Sequence, residues 1–371
     1  MKKVCILQNS MTYGGTDTFV INLCKGLAED GYDVTVILSV DSEEILPREQ
    51  ELLAAKIKVL KTCQLNSTVT KLKHLLHLYK ELKKGKYDVF QSNIDLFNGP
   101  QMLIAYLAGV PVRECHSHNS QQAKELNQGK TLSVCIYQKI MRWLCWKFSN
   151  CRGGCSGLAM DFLFGNKWKN DRHSKVIHNG IEFAAYRSAF NSDLKKEELG
   201  LKKKYNICTV GRIASQKNPL FIVEVMKELF VKRDDCDFVW VGTGDMEEQI
   251  KKKIDEYKIH DRMHMLGSRS DVADILRSAD LFFLPSYFEG LAIVLIEAQA
   301  AGLPCVTTTT TTPESNCGSV LYFSLEEPAS VWAQKLSDIL DGAIELKVDS
   351  EKLYEYSVEY MVKEMEGLFE L

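Results

Sequence analysis

A chain of 371 residues is longer than the size at which one hydrophobic core keeps growing, so two domains are expected. Hydrophobic residues make up 45% of the chain and charged residues 26%, as in ordinary globular proteins, and a net charge of −3 argues against a dedicated nucleic-acid binder. No apolar run reaches the length that would span a bilayer.

Strand-like and helix-like segments alternate along the first half of the chain, which predicts a parallel sheet covered by helices. The run Lys3–Gln8 predicts a buried first strand rather than a signal peptide, because no small-residue cleavage site follows it. A helix is predicted from about Thr16 and a strand over 33–40. A second helix is predicted over 71–86, with an apolar face made of Leu72, Leu75, Leu76, Tyr79 and Leu82.

The alternation restarts after a charged stretch over 192–205, which predicts a surface linker with a short helix. Strands are predicted to begin near residues 206, 237, 263, 281 and 304, with helices between them. The fold class is therefore α/β, with two doubly wound domains that meet near residues 185–200. The final segment predicts an amphipathic helix with no strand after it.

Twelve cysteines raise the question of disulfides or a zinc site. Several stand in apolar runs, such as Cys5, Cys24 and Cys208, and no Cys-x-x-Cys pair is present. This pattern favours free, mostly buried thiols in a reducing cytoplasm.

Ligands of open α/β sheets bind where the carboxyl ends of strands lead into helices. In the second half this rule selects four loops, at Gly211–Arg212, Gly242–Gly244, Gly267–Arg269 and Glu289–Gly290. The loops share one edge of the sheet, so they can meet at one ligand. Gly242 and Gly244 form only half of a Gly-x-Gly-x-x-Gly motif, because Glu247 takes the place of the third glycine.

The segment 292–301 predicts a helix that is apolar almost all round, with Glu297 in its middle. A carboxylate in that position needs a partner, either a neighbouring Arg or Lys or the hydroxyls of a ligand. Helical rise would place Glu289 roughly 12 Å from Glu297, too far for a glycosidase carboxylate pair, which needs about 5–9.5 Å. The two glutamates are therefore interpreted as contacts to the two ends of one extended ligand.

An anion site is predicted between Glu289 and Glu297. Gly290 and the backbone amides of Leu291 and Ala292 lie at the start of the helix, where anions bind. Arg212 and Lys217 would supply the positive charge, although any single surface cation is more often simply solvated. In the first half, His116 and His118 sit at the carboxyl end of a strand, where a functional role is favoured over a structural one for His116.

The chain resembles, over nearly its whole length, glycosyltransferase family 4, the nucleotide-sugar glycosyltransferases with the GT-B fold. The likeness is strongest in VGRIASQKNP, VGTGDMEEQI, LGSRSDV and PSYFEGLAIVLIEAQAAGLPCV, with YGGTDTF, RECHSHN and KVIHNGIE in the first half. The wording of these stretches looks most like the bacterial capsular and exopolysaccharide branch. The fold implied is GT-B, two Rossmann-like doubly wound domains facing a central cleft. Residues 1–190, with a helix over 353–371 that crosses back, would bind the acceptor, and residues 191–352 would bind the donor.

The resemblance also implies roles for individual residues. Arg212 and Lys217 would hold the donor diphosphate, Glu297 the ribose and Glu289 the hydroxyls of the transferred sugar. The catalytic set implied is His116, Arg212, Lys217 and Glu289. The donor-binding set implied is Gly15, Gly211, Gly242, Gly244, Arg269, Gly290, Leu291, Ala292 and Glu297. Two departures from the family pattern are the threonine run Thr307–Thr312 and the acid of the glycine loop, for which Asp17 is the nearest equivalent.

The activity implied is transfer of a hexose or N-acetylhexosamine, with retention, from a UDP-sugar to a glycan or lipid-linked acceptor. No cofactor or metal is expected, because the family that the chain resembles transfers sugars without a metal. The protein is expected in the cytoplasm, with peripheral contact to the inner face of the plasma membrane through the basic segment 138–152 as an open alternative to full solubility. The rival functions are a nucleotide-sugar epimerase on the same fold and a catalytically silent sugar-nucleotide-binding subunit.

Overall fold

The computed structural model describes residues 1–12, 14–119, 132–289 and 291–370, and their contacts divide the chain into two units. Unit 1 comprises Met1–Ile181 and Glu355–Leu371, and unit 2 comprises Glu182–Tyr354. The sequence analysis placed the boundary after residue 190. The segment 182–190 instead packs within unit 2, where the guanidinium of Arg277 donates to the carbonyl of Ala185 and the hydroxyl of Ser188, each at 3.2 Å.

Unit 1 is built on a parallel sheet with the strand order β3-β2-β1-β4-β5-β6-β7. The central strand β1 is a continuous apolar run because both of its faces are covered by helices. The order reverses between β1 and β4, so the loops after these two strands diverge at the carboxyl edge. The strands are β1 (Lys3–Gln8), β2 (Asp33–Leu38), β3 (Lys58–Lys61), β4 (Val89–Ser92), β5 (Val112–Ser117), β6 (Cys151–Gly154) and β7 (Ser174–Val176). The helices before residue 182 are α1 (Gly15–Glu29), α2 (Glu49–Ala54), α3 (Thr68–Gly85), α4 (Asn98–Ala108), α5 (Leu132–Phe148) and α6 (Gly157–Phe164).

Unit 2 repeats the same plan with the strand order β10-β9-β8-β11-β12-β13, and here the order reverses between β8 and β11. The strands are β8 (Tyr205–Val210), β9 (Cys236–Val241), β10 (Met263–Met265), β11 (Leu281–Leu284), β12 (Cys305–Thr308) and β13 (Val320–Phe323). The helices are α7 (Ala184–Arg187), α8 (Ser192–Glu198), α9 (Pro219–Lys232), α10 (Glu247–Tyr257), α11 (Val272–Arg277), α12 (Ile293–Ala300), α13 (Ala329–Leu340) and α14 (Ser350–Tyr354).

The C-terminal segment forms two helices rather than the single one that its amphipathic pattern predicts. The first is α14, and the second is α15 (Val358–Phe369), which returns to unit 1. Ser357 starts α15, because its hydroxyl accepts the backbone N–H of Tyr360 at 3.0 Å. Met361 and Met365 of α15 are fully buried in the core that also contains residues of α1.

The orientation of α3 differs from the predicted one. The helix buries His74, Leu78 and Leu82 and turns Leu72 and Leu76 outward. The predicted face therefore holds only in part, because a helix rich in both leucine and lysine offers more than one apolar stripe.

Candidate active site

The carboxyl edge of unit 2 brings two loops together at the point where the strand order reverses. One loop follows β8 over 211–218, and the other follows β11 over 285–292. The backbone N–H of Tyr287 donates to the carbonyl of Gln216 at 2.9 Å, and the Gln216 amide donates to the carbonyl of Phe288 at 3.1 Å. The loops are thus held at a fixed separation beside the crevice in which ligands of such sheets bind.

Two of the predicted site residues form an ion pair across these loops. The ammonium Nζ of Lys217 lies 2.6 Å from Oε1 of Glu289, and the two side chains are 17% and 9% exposed. An ammonium carries three N–H donors, so this pair leaves Lys217 able to bind a phosphate oxygen as well. The pair places the predicted diphosphate and sugar contacts side by side, which the sequence alone did not show.

Arg212 and the start of α12 lie on the same two loops. Arg212 is exposed, and among the described residues its guanidinium forms no hydrogen bond or ion pair. The backbone N–H groups of Leu291 and Ala292 precede α12, which has no side-chain cap. Such amides favour an anion. Gly290, predicted to belong to this group, lies outside the described residues.

Glu297 is partly buried in the middle of α12 and is not neutralised. Within the part of the chain that the structure describes, its carboxylate has no ion pair and no hydrogen bond, so the salt-bridge alternative is not realised there. Burial raises its pKa to about 7. Tyr186 stands close by: burial first, and then the charge of Glu297, raise the pKa of its phenol. Tyr186 belongs to none of the sequence motifs and was not predicted as a site residue.

Gly242 and Gly244, predicted to contact the donor, are required by the packing of the protein itself. A Cβ on Gly242 would lie 2.1 Å from the carbonyl oxygen of Gly211, and one on Gly244 would lie 2.2 Å from that of Ile213. Gly242 also has a φ of +138°, which side-chain-bearing residues rarely adopt. These glycines let the loops after β8 and β9 touch, so they shape the site from behind.

Arg269 is also engaged within the protein. Its guanidinium donates to both carboxylate oxygens of Asp271, at 2.7 and 2.5 Å, and to Glu198 at 2.9 Å. Arg269 holds the pKa of Asp271 well below its usual range. Its Nε and Nη2 donors are therefore occupied, and this ion-pair cluster holds the side chain in place.

The threonine run ties β12 to β11. Thr307 donates to the carbonyl of Leu284 at 2.7 Å, and Thr308 donates to that of Ser286 at 2.8 Å. Both threonines are buried. The run thus supports the strand end from which the Glu289 loop departs.

In unit 1, the structure places His116, which was predicted to be catalytic, inside the core. His116 belongs to β5 and is completely buried, stacked on Phe19 with 4.6 Å between ring centroids. Its Nδ1 lies 3.1 Å from Oε1 of Glu114. Burial lowers the pKa of His116 to about 3 and raises that of Glu114 to about 8, so the pair is neutral. His116 therefore supports the strand end from inside the core.

His118, two residues further along, reaches the edge of the sheet. Its Nε2 lies 2.8 Å from Oδ1 of Asn93, whose amide nitrogen donates to the carbonyl of Leu7. Burial and the neighbouring His116 hold the pKa of His118 well below its usual value. The neutral ring therefore carries its proton on Nε2, and Nδ1 is an acceptor. Of the two histidines, His118 is the less buried, although its Nδ1 is buried and its Nε2 is held by Asn93.

The glycine loop of unit 1 is organised by Asp17. Its carboxylate accepts hydrogen bonds from Gln8 at 2.6 Å and from the backbone N–H groups of Thr12 and Gly14 at 2.9 and 3.1 Å. The side chain is 4% exposed, and these hydrogen bonds to it shape the loop. Gly15 is the first residue of α1, and a Cβ there would meet no atom within 4 Å. The space beside its backbone is therefore open, as the predicted approach of a ligand to this backbone requires.

A pocket of about 530 Å³ lies at the carboxyl ends of β1 and β4. It lies where the strand order of unit 1 reverses, which is the ligand position of doubly wound sheets. Among the described residues, no group of three or more His, Cys, Asp or Glu side chains could hold a metal ion. The pocket is lined by Gln8, Asn9, Ser10, Gly14, Thr16, Asp17, Leu65, Lys71, Asn93, Ile94, Asp95, Leu96, Phe97 and Tyr137.

Comparison with known proteins finds two family models on the chain. The model described as Glycosyltransferase Family 4 matches residues 13–184, and the one described as Glycosyl transferases group 1 matches residues 191–320. The chain is 26% identical over 340 residues to the putative glycosyltransferase EpsF of Bacillus subtilis, covering 91% of this chain and 87% of that protein. It is 32% identical over 253 residues to an Escherichia coli enzyme named UDP-Gal:alpha-D-GlcNAc-diphosphoundecaprenol alpha-1,3-galactosyltransferase, covering 66% and 63% of the two chains.

Among solved structures, the chain resembles Anabaena HepE in complex with UDP. The TM-score is 0.81 at 16% sequence identity, and the likeness covers 100% of both chains. This likeness confirms the expected GT-B fold, with its two parallel-sheet α/β domains.

Proposed function

The chain belongs to glycosyltransferase family 4, and from this premise we propose that it transfers a hexose or an N-acetylhexosamine from a UDP-sugar, with retention of configuration. The acceptor in this proposal is a glycan or a lipid-linked sugar of a bacterial surface polysaccharide. Two similarities support it: HepE has been solved with UDP, and the name of the Escherichia coli relative states a lipid-diphosphate acceptor.

The observation that carries the proposal is the charge arrangement at the carboxyl edge of unit 2. Arg212 and Lys217 would bind the diphosphate and stabilise the charge that develops on it as the glycosidic bond breaks. Glu297, unpaired and partly buried, would accept hydrogen bonds from ribose hydroxyls. Glu289, oriented by its 2.6 Å contact with Lys217, would accept them from the transferred sugar. The base would meet the backbone of 267–269.

In this proposal the two cations do the work that other transferases give to a divalent metal. Transfer is therefore expected to persist in excess EDTA. Loss of activity in EDTA that returns with Mg²⁺ or Mn²⁺ would contradict this part of the proposal.

We also propose that unit 1 lies peripherally on the inner face of the plasma membrane. None of the described helices is both long and apolar enough to cross a bilayer. On α5, however, Leu132, Ile136, Ile140 and Trp143 are exposed, and Trp143 is 58% exposed. In a chain of net charge −3, α3 carries five lysines and one glutamate, and α5 carries three basic residues and no acidic one. Exposed apolar side chains beside positive charge suit an anionic lipid surface.

The test is a thermal-shift screen of the protein with UDP, GDP, ADP and their hexose and N-acetylhexosamine derivatives, followed by transfer assays on membrane-extracted acceptors. A UDP-sugar is expected to raise the melting temperature and to be consumed with release of UDP only when acceptor is present. If no nucleotide stabilises the protein, the proposal fails. Donor binding without transfer would instead favour a binding subunit, and conversion of the donor to its epimer would favour an epimerase.

A further inference from the structure

Two polar groups of unit 2 lie near each other without hydrogen-bond partners. One is the carboxylate of Glu297 in α12, and the other is the phenol hydroxyl of Tyr186 in α7. Neither side chain forms a hydrogen bond or an ion pair within the ranges that the structure describes. Both side chains are half-buried, so each is partly withdrawn from the water that would otherwise satisfy it.

Packing brings Tyr186 to the middle of α12. Its ring packs against the hydrophobic cluster that contains Leu295 and Ala298, and both of these residues lie within one turn of Glu297. Burial raises the pKa of the Tyr186 phenol, and the charge of Glu297 raises it further. The phenol therefore stays protonated at neutral pH and presents an O–H donor near a carboxylate acceptor.

The backbone that carries Tyr186 is fixed by α11. The guanidinium of Arg277 donates to the carbonyl of Ala185 and the hydroxyl of Ser188, each at 3.2 Å, and also to the carbonyl of Ser188. These contacts lie on either side of Tyr186, whose own N–H donates to the carbonyl of Phe183 at 3.0 Å. The backbone of Tyr186 is thus held without a ligand, which favours selective recognition.

A donor near an acceptor fits a ligand group that can both accept and donate. A hydroxyl does so, because it can accept the phenol proton and donate its own proton to the carboxylate. An anion would be repelled by Glu297, and an apolar group would leave both protein groups unpaired. The ribose of a nucleotide carries two neighbouring hydroxyls of this kind, at C2′ and C3′.

We propose that Tyr186 is a specificity-determining residue for the nucleotide, and that its hydroxyl donates to a ribose hydroxyl beside Glu297. The protein then distinguishes ribonucleotides from deoxyribonucleotides with two side chains, one a donor and the other an acceptor. This inference rests on the proposed function, because it needs a nucleoside diphosphate whose ribose binds at Glu297.

The test is isothermal titration of the full chain with UDP, 2′-deoxy-UDP and 3′-deoxy-UDP. The wild type is expected to bind UDP more tightly than at least one of the deoxy analogues. Tyr186→Phe keeps the ring and removes only the hydroxyl, and it should bind UDP roughly 3- to 10-fold more weakly. For at least one deoxy analogue this loss should be absent, because that analogue lacks the hydroxyl that Tyr186 contacts.

Tyr205→Phe is the matched control, because Tyr205 is the first residue of β8 and therefore lies at the amino edge of the same sheet. It should bind all three nucleotides as the wild type does. An unchanged affinity of Tyr186→Phe for UDP, or an equal loss for all three nucleotides, overturns the inference while the proposed function stands.

The melting temperature of Tyr186→Phe should not fall, because the hydroxyl has no partner in the part of the chain that the structure describes. A variant that does not fold would overturn the inference, since the hydroxyl would then serve the fold. If UDP does not bind the wild type at all, the proposed function fails and the inference fails with it.

Discussion

Replacing Glu297 with glutamine is expected to stabilise the protein above neutral pH and to weaken nucleotide binding. Burial raises the pKa of Glu297 from 4.5 to about 7, and no described cation compensates for the charge. In the unfolded chain the group ionises near its ordinary value. When the pH lies between these two pKa values, the folded state binds more protons than the unfolded state. The stability of the wild type therefore falls as the pH rises. At about 1.36 kcal/mol per pKa unit, complete ionisation costs the fold about 3 kcal/mol.

Glutamine is neutral throughout this range and has nearly the same shape. Glu297→Gln should therefore exceed the wild type by about 3 kcal/mol in the free energy of unfolding at pH 8 and equal it near pH 4. Guanidinium denaturation followed by tryptophan fluorescence at both pH values measures this difference. Because the carboxylate is proposed to accept ribose hydroxyls, UDP should bind the variant roughly 10- to 100-fold more weakly at pH 8.

Glu289→Gln provides the control, since it makes the same chemical change on the neighbouring loop. Glu289 is paired with Lys217 at 2.6 Å, so its replacement leaves a partly buried ammonium without its partner. This variant should lose about 1–3 kcal/mol of stability at pH 8, the opposite sign to Glu297→Gln. If Glu297→Gln destabilises the protein at pH 8, or if it binds UDP as tightly as the wild type, Glu297 is not the unpaired ligand-binding carboxylate described above.

Three other substitutions test different parts of the structure. Arg212→Ala removes an exposed side chain, so the melting temperature should stay the same while the affinity for UDP falls roughly 10-fold; normal affinity by titration would contradict the proposed diphosphate contact. Gly244→Ala forces a Cβ to within 2.2 Å of the carbonyl of Ile213, and denaturation should show a loss of at least about 2 kcal/mol, whereas full stability would mean that the loops can separate freely. Trp143→Glu should reduce cosedimentation with vesicles of phosphatidylglycerol without a change in melting temperature. The control is Val231→Glu, which alters an exposed apolar residue of unit 2 and should cosediment as the wild type does. Equal binding of the two variants would contradict the membrane contact.

The sequence predicted those parts of the fold that depend on local pattern. Lys3–Gln8 is a continuous apolar run and Pro219–Lys232 has helical apolar spacing, and the structure confirms a strand and a helix there. The short strands β3, β6, β7 and β13 went unpredicted, because runs of three or four residues carry little pattern of their own and are ordered mainly by the strand beside them. The break before Ser357 was also not predicted, because the amphipathic pattern of the C-terminal segment continues across it.

At the candidate site, the sequence located the edge of each sheet but not the depth of individual side chains. His116 was predicted to be catalytic because it lies at the carboxyl end of a strand. It is the fifth residue of a six-residue strand, pairs with Gly153 of β6 and is completely buried. Two more residues of extended chain bring His118 to the rim. The contact between Lys217 and Glu289 joins residues 72 positions apart, and the distance between such residues follows from the strand order and not from any local motif.

The return of α15 to unit 1 has a consequence for how the protein is made. Met361 and Met365 belong to the core that contains α1, so this core is complete only after α15 has been synthesised. At roughly 5–20 residues per second, synthesis of the intervening unit 2 takes on the order of ten to forty seconds. During that interval α1 can pack against β1, β2 and α2 but lacks α15, while unit 2 is continuous in sequence. The unit that is translated first is thus the one whose core is completed last.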